Sequence, residues 1–160
     1  MVSLKMITFH WTGGTYVPND TDKNAYHFLI DGSGKVIAGK YKPEDNLNCK
    51  DGVYARHCGG GNTGNIGIAI CGMWSKDYPI KRIQIEAACK LAAELAVKYG
   101  IRITNKTVLT HAEFGKLNPH TTSYGKIDII NLPCVCVYGI DNVGNWIRNK
   151  VNWYRSKISQ

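Results

Sequence analysis

Two histidines, each at the end of a short apolar segment, have side chains that could bind a metal ion. His10 follows residues 5–9, and His111 follows residues 107–110. Both segments are rich in apolar and β-branched residues, which predicts buried β-strands. A histidine at the end of a strand brings its imidazole to the rim of a sheet, where ligands and metals commonly bind. Both imidazoles are therefore candidate metal ligands.

Asp128 is a third candidate ligand. Two imidazoles and one carboxylate, with a fourth position left open, form a common catalytic zinc site. In such a site a bound water ionises near neutral pH and becomes a nucleophile. The alternative is two core histidines and a surface aspartate, which is the more frequent situation for each residue considered alone. The residue types by themselves leave both interpretations open.

The elements that must position these residues are predicted from local patterns. Residues 26–30 and 35–38 read as two strands joined by a tight turn at 31–34, which predicts a hairpin. Residues 66–70 predict a further buried strand. The segments 11–24 and 112–124 are predicted to be loops, and residues 40–63 are irregular and rich in glycine.

The clearest helix is predicted over residues 79–99, with Pro79 in its first turn and Gly100 just past its end. A second helix is predicted over residues 143–158. Strands interleaved with helices indicate an α/β fold, with a mixed sheet covered by helices. The buried stripe predicted for the first helix consists of five apolar residues at helical spacing: Ile80, Ile83, Ala87, Leu91 and Leu95.

Length and composition predict one domain spanning residues 1–160. The chain has 44% hydrophobic and 20% charged residues, which is typical of a globular protein. It contains no apolar run of membrane-spanning length, and its first residues do not resemble a signal peptide. Synthesis in a cytoplasm is therefore expected. The six cysteines are irregularly spaced, so reduced, structural thiols are expected.

The formal net charge of +8 favours polyanionic partners such as nucleic acid, acidic lipid or an anionic cell wall. A basic surface that serves only solubility is an equally good interpretation. No recognised nucleic-acid-binding motif occurs, and no nucleic-acid partner is expected.

Five stretches of the sequence resemble zinc-dependent N-acetylmuramoyl-L-alanine amidases. This family includes phage lysozyme-type amidases and peptidoglycan recognition proteins. The resemblance is strongest over residues 5–133, whereas residues 134–160 diverge and are predicted to be helical. It implies a single amidase domain, with a central mixed sheet flanked by helices and a zinc site at the sheet rim. The stretches occur in the family's order: 9–12, 26–31, 62–68, 110–113 and 126–129.

The resemblance also implies roles for individual residues. His10, His111 and Asp128 match the zinc ligands of the family. Tyr26 matches a catalytic tyrosine placed to hydrogen-bond the amide oxygen or the attacking water. Lys126 matches a catalytic lysine that stabilises the oxyanion. A packing tyrosine and a solvated lysine are the ordinary alternatives.

Four further residues lie in or near the matched stretches. His57 looks like a family histidine near the substrate groove, and Asn62 lies in a matched stretch, so both are candidate substrate-binding residues. An ordinary loop role is as good an interpretation of His57. His27 must face away from Tyr26 in a regular strand, which indicates a structural histidine. Glu113 either supports the adjacent ligand or lies on the surface.

The C-terminal segment predicts a basic amphipathic helix. Such a helix either lies on an anionic membrane or packs on the sheet, and packing is the more frequent case. Its apolar face is predicted from Val143, Trp146, Ile147, Val151 and Tyr154, with Arg148, Lys150, Arg155 and Lys157 around it.

The function implied by the resemblance is zinc-dependent hydrolysis of the amide bond between N-acetylmuramic acid and L-alanine in peptidoglycan. The expected setting is a monomeric, bacteriolytic phage endolysin that reaches the cell wall after a separate protein permeabilises the membrane. A cytoplasmic amidase that recycles wall fragments is the close variant. The alternative is a peptidoglycan recognition domain that binds without cutting. Such domains often lack a zinc ligand, and here all three candidates are present.

Overall fold

A mixed β-sheet forms the centre of the computed structural model, which describes residues 2–74 and 76–158. Within these residues five strands make up this sheet: β1 (Met6–Trp11), β2 (Phe28–Ile30), β3 (Val36–Ala38), β4 (Asn65–Ile70) and β5 (Val108–Thr110). A small antiparallel pair consists of β6 (Asn131–Leu132) and β7 (Val137–Tyr138). The α-helices are α1 (Asp20–Ala25), α2 (Arg82–Tyr99), α3 (His111–Leu117) and α4 (Ile140–Ile158), and short 3-10 helices span Pro43–Leu47 and Pro133–Val135.

The strand order β3-β2-β4-β1-β5 places β1, which contains His10, beside β5, which His111 directly follows. Strand β1 runs parallel to both β4 and β5, whereas β3 runs antiparallel to β2. Phe9 is paired with Thr110, so the residues that follow them, His10 and His111, leave neighbouring strands at the same level. Because parallel strands end at the same edge, both imidazoles lie near the carboxyl edge of the sheet.

The two faces of the sheet have different surroundings. Ile7, Phe9 and Trp11 alternate along β1 and belong to the main hydrophobic core, together with residues of α2 and α4. Thr8 and His10 point to the other face. There the Thr8 hydroxyl donates a hydrogen bond to the Asn65 side chain at 2.9 Å. The α/β fold predicted from the sequence is therefore confirmed, with the main core on one face of the sheet. The opposite face, which we call the polar face, carries Thr8 and His10 together with a small apolar cluster that includes Leu29 and Ala69.

The polar face is covered by the irregular segment that contains His57. A Cβ atom at Gly67 in β4 would lie 2.5 Å from Cγ of His57. A glycine at this position thus lets the imidazole pack directly on the sheet backbone.

The predicted strands, including the hairpin, are present, but the prediction for α2 needs correction. The helix begins at Arg82 because Pro79 forms a bridge with Met73, so Ile80 is buried ahead of the helix. Ile83 is 56% exposed and packs against Gly34 of the hairpin turn. Ala87 and Leu91 are only half-buried, whereas Leu95 is buried as predicted. The stripe on the core is shifted by one position and consists mainly of smaller residues: Gln84, Ile85, Ala88, Cys89, Ala92, Ala93, Leu95 and Ala96.

Two segments predicted to be loops contain short helices. Helix α1 starts inside the predicted loop 11–24 and ends one residue after it. It has no buried residues and begins with a capping box between Asn19 and Asp22. Helix α3 begins at His111, immediately after β5. Neither helix is long enough to show an apolar stripe, so periodicity gave no signal for them.

Helix α4 packs against α2 and β5, as the more frequent interpretation of the C-terminal segment predicted. Val143, Ile147 and Val151 are fully buried in the main core. Arg148, predicted among the surrounding cations, is buried as well. Across the described residues, none of the helices combines the length and apolarity needed to cross a membrane.

Candidate metal centre

The three predicted metal ligands meet at one buried point. His10, His111 and Asp128 are 0%, 6% and 8% exposed. Nδ1 of His10 lies 2.8 Å from Oδ2 of Asp128, and Nδ1 of His111 lies 3.1 Å from Oδ1. One donor atom from each residue can be chosen so that all lie within 4.8 Å of one another. The three side chains are thus close enough to share one ion.

Different elements bring the ligands together. His10 is the fifth residue of β1, and His111 is the first residue of α3. Asp128 lies in the loop after α3, and its backbone carbonyl accepts a hydrogen bond from the Ala112 N–H at 2.6 Å. This bond joins the loop to the first turn of α3, so Asp128 and His111 are held by the same structural unit.

Hydrogen bonds assign the tautomer of His10. Nε2 of His57 lies 2.9 Å from the carbonyl oxygen of Asn65, which can only accept, so this nitrogen carries the proton. Burial holds the pKa of His57 well below its usual range, so the ring is neutral and its Nδ1 must accept. That acceptor lies 3.0 Å from Nε2 of His10, which therefore donates. Burial also lowers the pKa of His10, and its remaining nitrogen, Nδ1, presents a lone pair to Asp128.

The same reasoning applies to His111. The hydroxyl of Ser123 donates to the carbonyl oxygen of Gly59 at 2.7 Å, so its oxygen is free to accept. Nε2 of His111 lies 2.9 Å from this oxygen and is therefore the N–H side of the ring. Its Nδ1 then presents a second lone pair to Asp128.

The centre consequently holds three electron-pair donors that face one another. Burial acts to raise the pKa of Asp128, but its contacts with the side chains of His10 and His111 outweigh this effect and hold the pKa at about 2. The carboxylate is therefore negatively charged at neutral pH. A proton between the groups can satisfy only one pair, whereas a metal ion can accept all three donors. Two imidazole nitrogens and one carboxylate oxygen are a donor set that zinc favours, so the residues fit this ion.

Tyr26 lies beside the three ligands. Its ring centroid is 5.0 Å from that of His10, with the two planes tilted by 49°. Burial raises the pKa of Tyr26, and the negative charge of Asp128 raises it further. The phenol therefore keeps its proton at neutral pH and can donate a hydrogen bond.

Lys126 is exposed, two residues before Asp128. Residues 126–128 do not form a strand, so the two side chains are not related by strand alternation. In the part of the chain that the structure describes, the ammonium group of Lys126 makes no hydrogen bond or ion pair. It is available to a bound molecule, and its catalytic role remains a prediction.

The two candidate substrate-binding residues make hydrogen bonds within the protein, and one of them contacts His10. His57 is buried and hydrogen-bonded through both ring nitrogens, to His10 and to Asn65. The side-chain oxygen of Asn62 accepts from the backbone N–H groups of His57 and Cys58 at 3.0 and 2.8 Å. In this structure both residues organise the protein itself, and substrate contact by either remains a prediction.

His27 is a structural histidine, as predicted. It is buried, with Nε2 2.9 Å from the side-chain oxygen of Asn46 and Nδ1 accepting from the Gly67 N–H at 2.9 Å. Burial lowers its pKa to about 4. The ring is therefore neutral at physiological pH and joins the irregular segment to β4.

From the sequence, one further contributor to the centre was missed and a second was left open. Ser123 carried no signal, because a lone serine in a loop has many ordinary roles. Glu113 was left open, and the structure places it in a buried ion pair with Arg148 of α4. The Thr110-x-x-Glu113 spacing is a capping-box signature, which could have predicted the start of α3.

Comparisons with known proteins identify the family and the fold. The family model for N-acetylmuramoyl-L-alanine amidase matches residues 2–125. No curated protein sequence matches the chain.

Several solved structures share the fold. The N-acetylmuramoyl-L-alanine amidase LysC from Clostridium intestinale is 21% identical, with 69% of this chain and 71% of that chain covered and a TM-score of 0.51. The Staphylococcus aureus hydrolase AmiA, solved with its ligand, is 14% identical over 96% of this chain and 73% of its own, with a TM-score of 0.60. Bumblebee PGRP-SA is 16% identical over 76% and 77%, with a TM-score of 0.52. At these identities the likeness is one of fold.

Proposed function

We propose, from the premise that the chain belongs to the N-acetylmuramoyl-L-alanine amidase family, that it is a zinc-dependent enzyme. Its proposed reaction is hydrolysis of the amide bond between N-acetylmuramic acid and L-alanine in peptidoglycan. The observation that carries the proposal is the convergence of His10, His111 and Asp128, with both imidazole lone pairs directed at the carboxylate.

The residues that would hold the ion are His10 and His111, through their Nδ1 atoms, and Asp128, through a carboxylate oxygen. When bound, zinc supplies Lewis-acid chemistry: it polarises a carbonyl oxygen and brings the pKa of a water to near neutrality. His57 and Ser123 keep the two imidazoles in the tautomers that leave Nδ1 unprotonated. The metal-binding groups are therefore prepared before an ion arrives.

Tyr26 is proposed to act on the substrate. Since its pKa is raised, its phenol is a hydrogen-bond donor throughout the neutral range. The carbonyl oxygen of the scissile amide becomes negatively charged when the amide carbon is attacked. A donor fixed beside the site stabilises that charge without reorganising, which lowers the barrier.

Lys126 is proposed to provide a positive charge for the same oxygen. Lys126 lies two residues before Asp128, in the loop after α3. Its ammonium group is exposed and makes no hydrogen bond or ion pair with another described residue. The side chain has several rotatable bonds, so substrate binding is what would order it. Its contribution is then largest in the transition state.

The experiment that tests the reaction is mass spectrometry of purified peptidoglycan after incubation with the protein. An amidase releases free peptides that begin at L-alanine. A chelator should abolish the release and added zinc should restore it, and His10→Ala should give no product. Cleavage between sugars would contradict the proposed bond. Retention on peptidoglycan without any product would instead support a recognition domain, the alternative suggested by the shared fold with PGRP-SA.

We further propose that the biological role is that of a phage endolysin. The net charge of +8 supports attraction to an anionic cell wall. Expression in a bacterium together with a membrane-permeabilising protein should cause lysis, and the His10→Ala variant should not. Activity confined to small soluble wall fragments would favour the recycling role.

A further inference from the structure

A buried ion pair connects the C-terminal helix to the metal centre. Arg148 and Glu113 are 8% and 7% exposed. The guanidinium group donates from Nη1 to Oε1 and from Nη2 to Oε2 of the carboxylate, both at 2.9 Å. Nη1 also donates to the carbonyl oxygen of Val108 in β5 at 3.1 Å. Arg148 therefore joins α4 to both β5 and α3.

Gly144 leaves the space that this contact requires. A Cβ atom at Gly144 would lie 2.2 Å from carboxylate atoms of Glu113. Glycine in a helix interior destabilises the helix relative to alanine, so its presence here needs a local reason. Gly144 and Arg148 are one turn apart on the same side of α4. Together they form a charged notch on α4 that receives the Glu113 carboxylate.

Glu113 in turn fixes the beginning of α3. Its Oε1 accepts from the Thr110 N–H at 3.1 Å, and the Thr110 hydroxyl accepts from the Glu113 N–H at 3.1 Å. His111 is the first residue of the helix that this reciprocal pair defines. The next residue, Ala112, donates its N–H to the Asp128 carbonyl. Two of the three candidate ligands are thus attached to the turn that Glu113 closes.

We infer that α4 is a positioning element of the metal centre, in which Gly144 and Arg148 hold Glu113 and thereby fix the turn that carries His111. The inference rests on the proposed zinc site. It gives a function to residues 134–160, a segment that lies beyond the family match over residues 2–125. Arg148 and Glu113 are positioning residues, because neither faces the donor atoms of the centre directly.

The test is the zinc dissociation constant of full-length variants, measured by competition with a chromophoric chelator. Arg148→Met removes both bonds to Glu113, and zinc binding should weaken about tenfold or more, as for other residues that orient metal ligands. Gly144→Ala changes no charge but displaces the carboxylate, so it should weaken zinc binding in the same direction. Cobalt-loaded protein should show an altered visible spectrum in both variants, which reports ligand geometry directly.

Lys150→Met is the matched control. Lys150 lies on the same helix and forms an ion pair with Glu86 of α2 at 3.3 Å, away from α3. This variant should lose some stability yet keep the wild-type zinc affinity and cobalt spectrum. If Arg148→Met fails to fold, Gly144→Ala decides the question.

The possible outcomes are distinguishable. Folded Arg148→Met and Gly144→Ala proteins with wild-type zinc affinity would overturn the inference while leaving the proposed function intact. Equal weakening in Lys150→Met would also overturn it, because the effect would then reflect general stability. A wild-type protein that binds no zinc would overturn both.

Discussion

The two faces of strand β1 follow different rules, although their residues alternate along a single strand. On one face Ile7, Phe9 and Trp11 contribute apolar volume to a core shared with α2 and α4. On the other face His10 donates a hydrogen bond from Nε2 to His57 and directs the lone pair of Nδ1 at Asp128. Apolar packing depends on shape and volume, whereas the polar face depends on which atom carries each proton. The comparison teaches that stability and metal binding should be separable by substitutions one residue apart.

The largest expected effects come from Phe9→Ala and His10→Ala, which are neighbours on opposite faces. Phe9→Ala should cost about 3–5 kcal/mol of folding stability, as truncation of a buried aromatic does. Zinc affinity per folded molecule should not change. His10→Ala should lose more than about 100-fold in zinc affinity, since loss of a partner outside the ligand set already costs 10–100-fold. Urea unfolding and zinc titration of both variants measure the contrast, and a Phe9→Ala protein that folds normally but binds zinc poorly would break it.

The next effects concern turnover rather than metal binding. Tyr26→Phe removes the phenolic donor and should lower kcat about 10²-fold or more, as loss of one oxyanion donor does, with zinc retained. Lys126→Ala should also keep zinc and fold while losing most of its turnover, with little change in substrate binding. Steady-state kinetics on zinc-loaded proteins provides the measurement. Near-normal kcat in either variant would exclude the role assigned to that residue.

A smaller effect is expected from the tautomer partner of His10. His57→Leu removes the acceptor for the His10 N–H, so the ring is no longer confined to one tautomer. Zinc affinity should fall about 10–100-fold. His27→Leu is the matched control, because His27 is also a buried imidazole on this face but bonds Asn46 and Gly67 instead of a ligand. Equal zinc affinity in wild type and His57→Leu would show that the tautomer needs no partner.

A final effect concerns stability without metal and is a dependence on pH that originates at His27. Burial lowers its pKa to about 4, below the usual value of 6.5. Between these two values the unfolded chain binds a proton that the folded protein excludes, so stability falls as the pH falls through the window. The contribution is fully present above pH 6.5 and amounts to about 3 kcal/mol when lost. Urea unfolding across this window should show a steeper loss for wild type than for His27→Gln, and parallel curves would contradict the assignment.

The strands and the hairpin could be predicted because short-range residue patterns determine them. The apolar segments before His10 and His111, and the hairpin around residues 31–34, have clear strand and turn signatures. For His10, His111 and Asp128, the resemblance favoured the candidate-ligand interpretation over two core histidines and a surface aspartate. Helices α1 and α3 escaped prediction because helices of six and seven residues have too few turns to show periodicity.

The interactions that organise the site were beyond the sequence because they join distant segments. Ser123 acquires its role only when its hydroxyl donates a hydrogen bond to the carbonyl oxygen of Gly59, 64 positions away. Arg148 reads as a surface cation until Glu113, 35 positions earlier, is placed against it. Ile83 was assigned to the core for its helical spacing, yet the helix starts three residues later than Pro79 suggested and turns this side chain outward. Long-range packing decides such positions, and one sequence does not display it.

The most direct test of the central claim is X-ray absorption spectroscopy at the zinc edge of the metal-loaded protein. The claim is that two imidazole nitrogens and one carboxylate oxygen bind the ion. The spectrum should show only light ligands near 2.0–2.1 Å with the multiple scattering of about two imidazoles, and that signature should disappear in His10→Ala. Sulfur scattering near 2.3 Å would mean that cysteine thiolates bind the metal, and it would contradict the assignment of His10, His111 and Asp128.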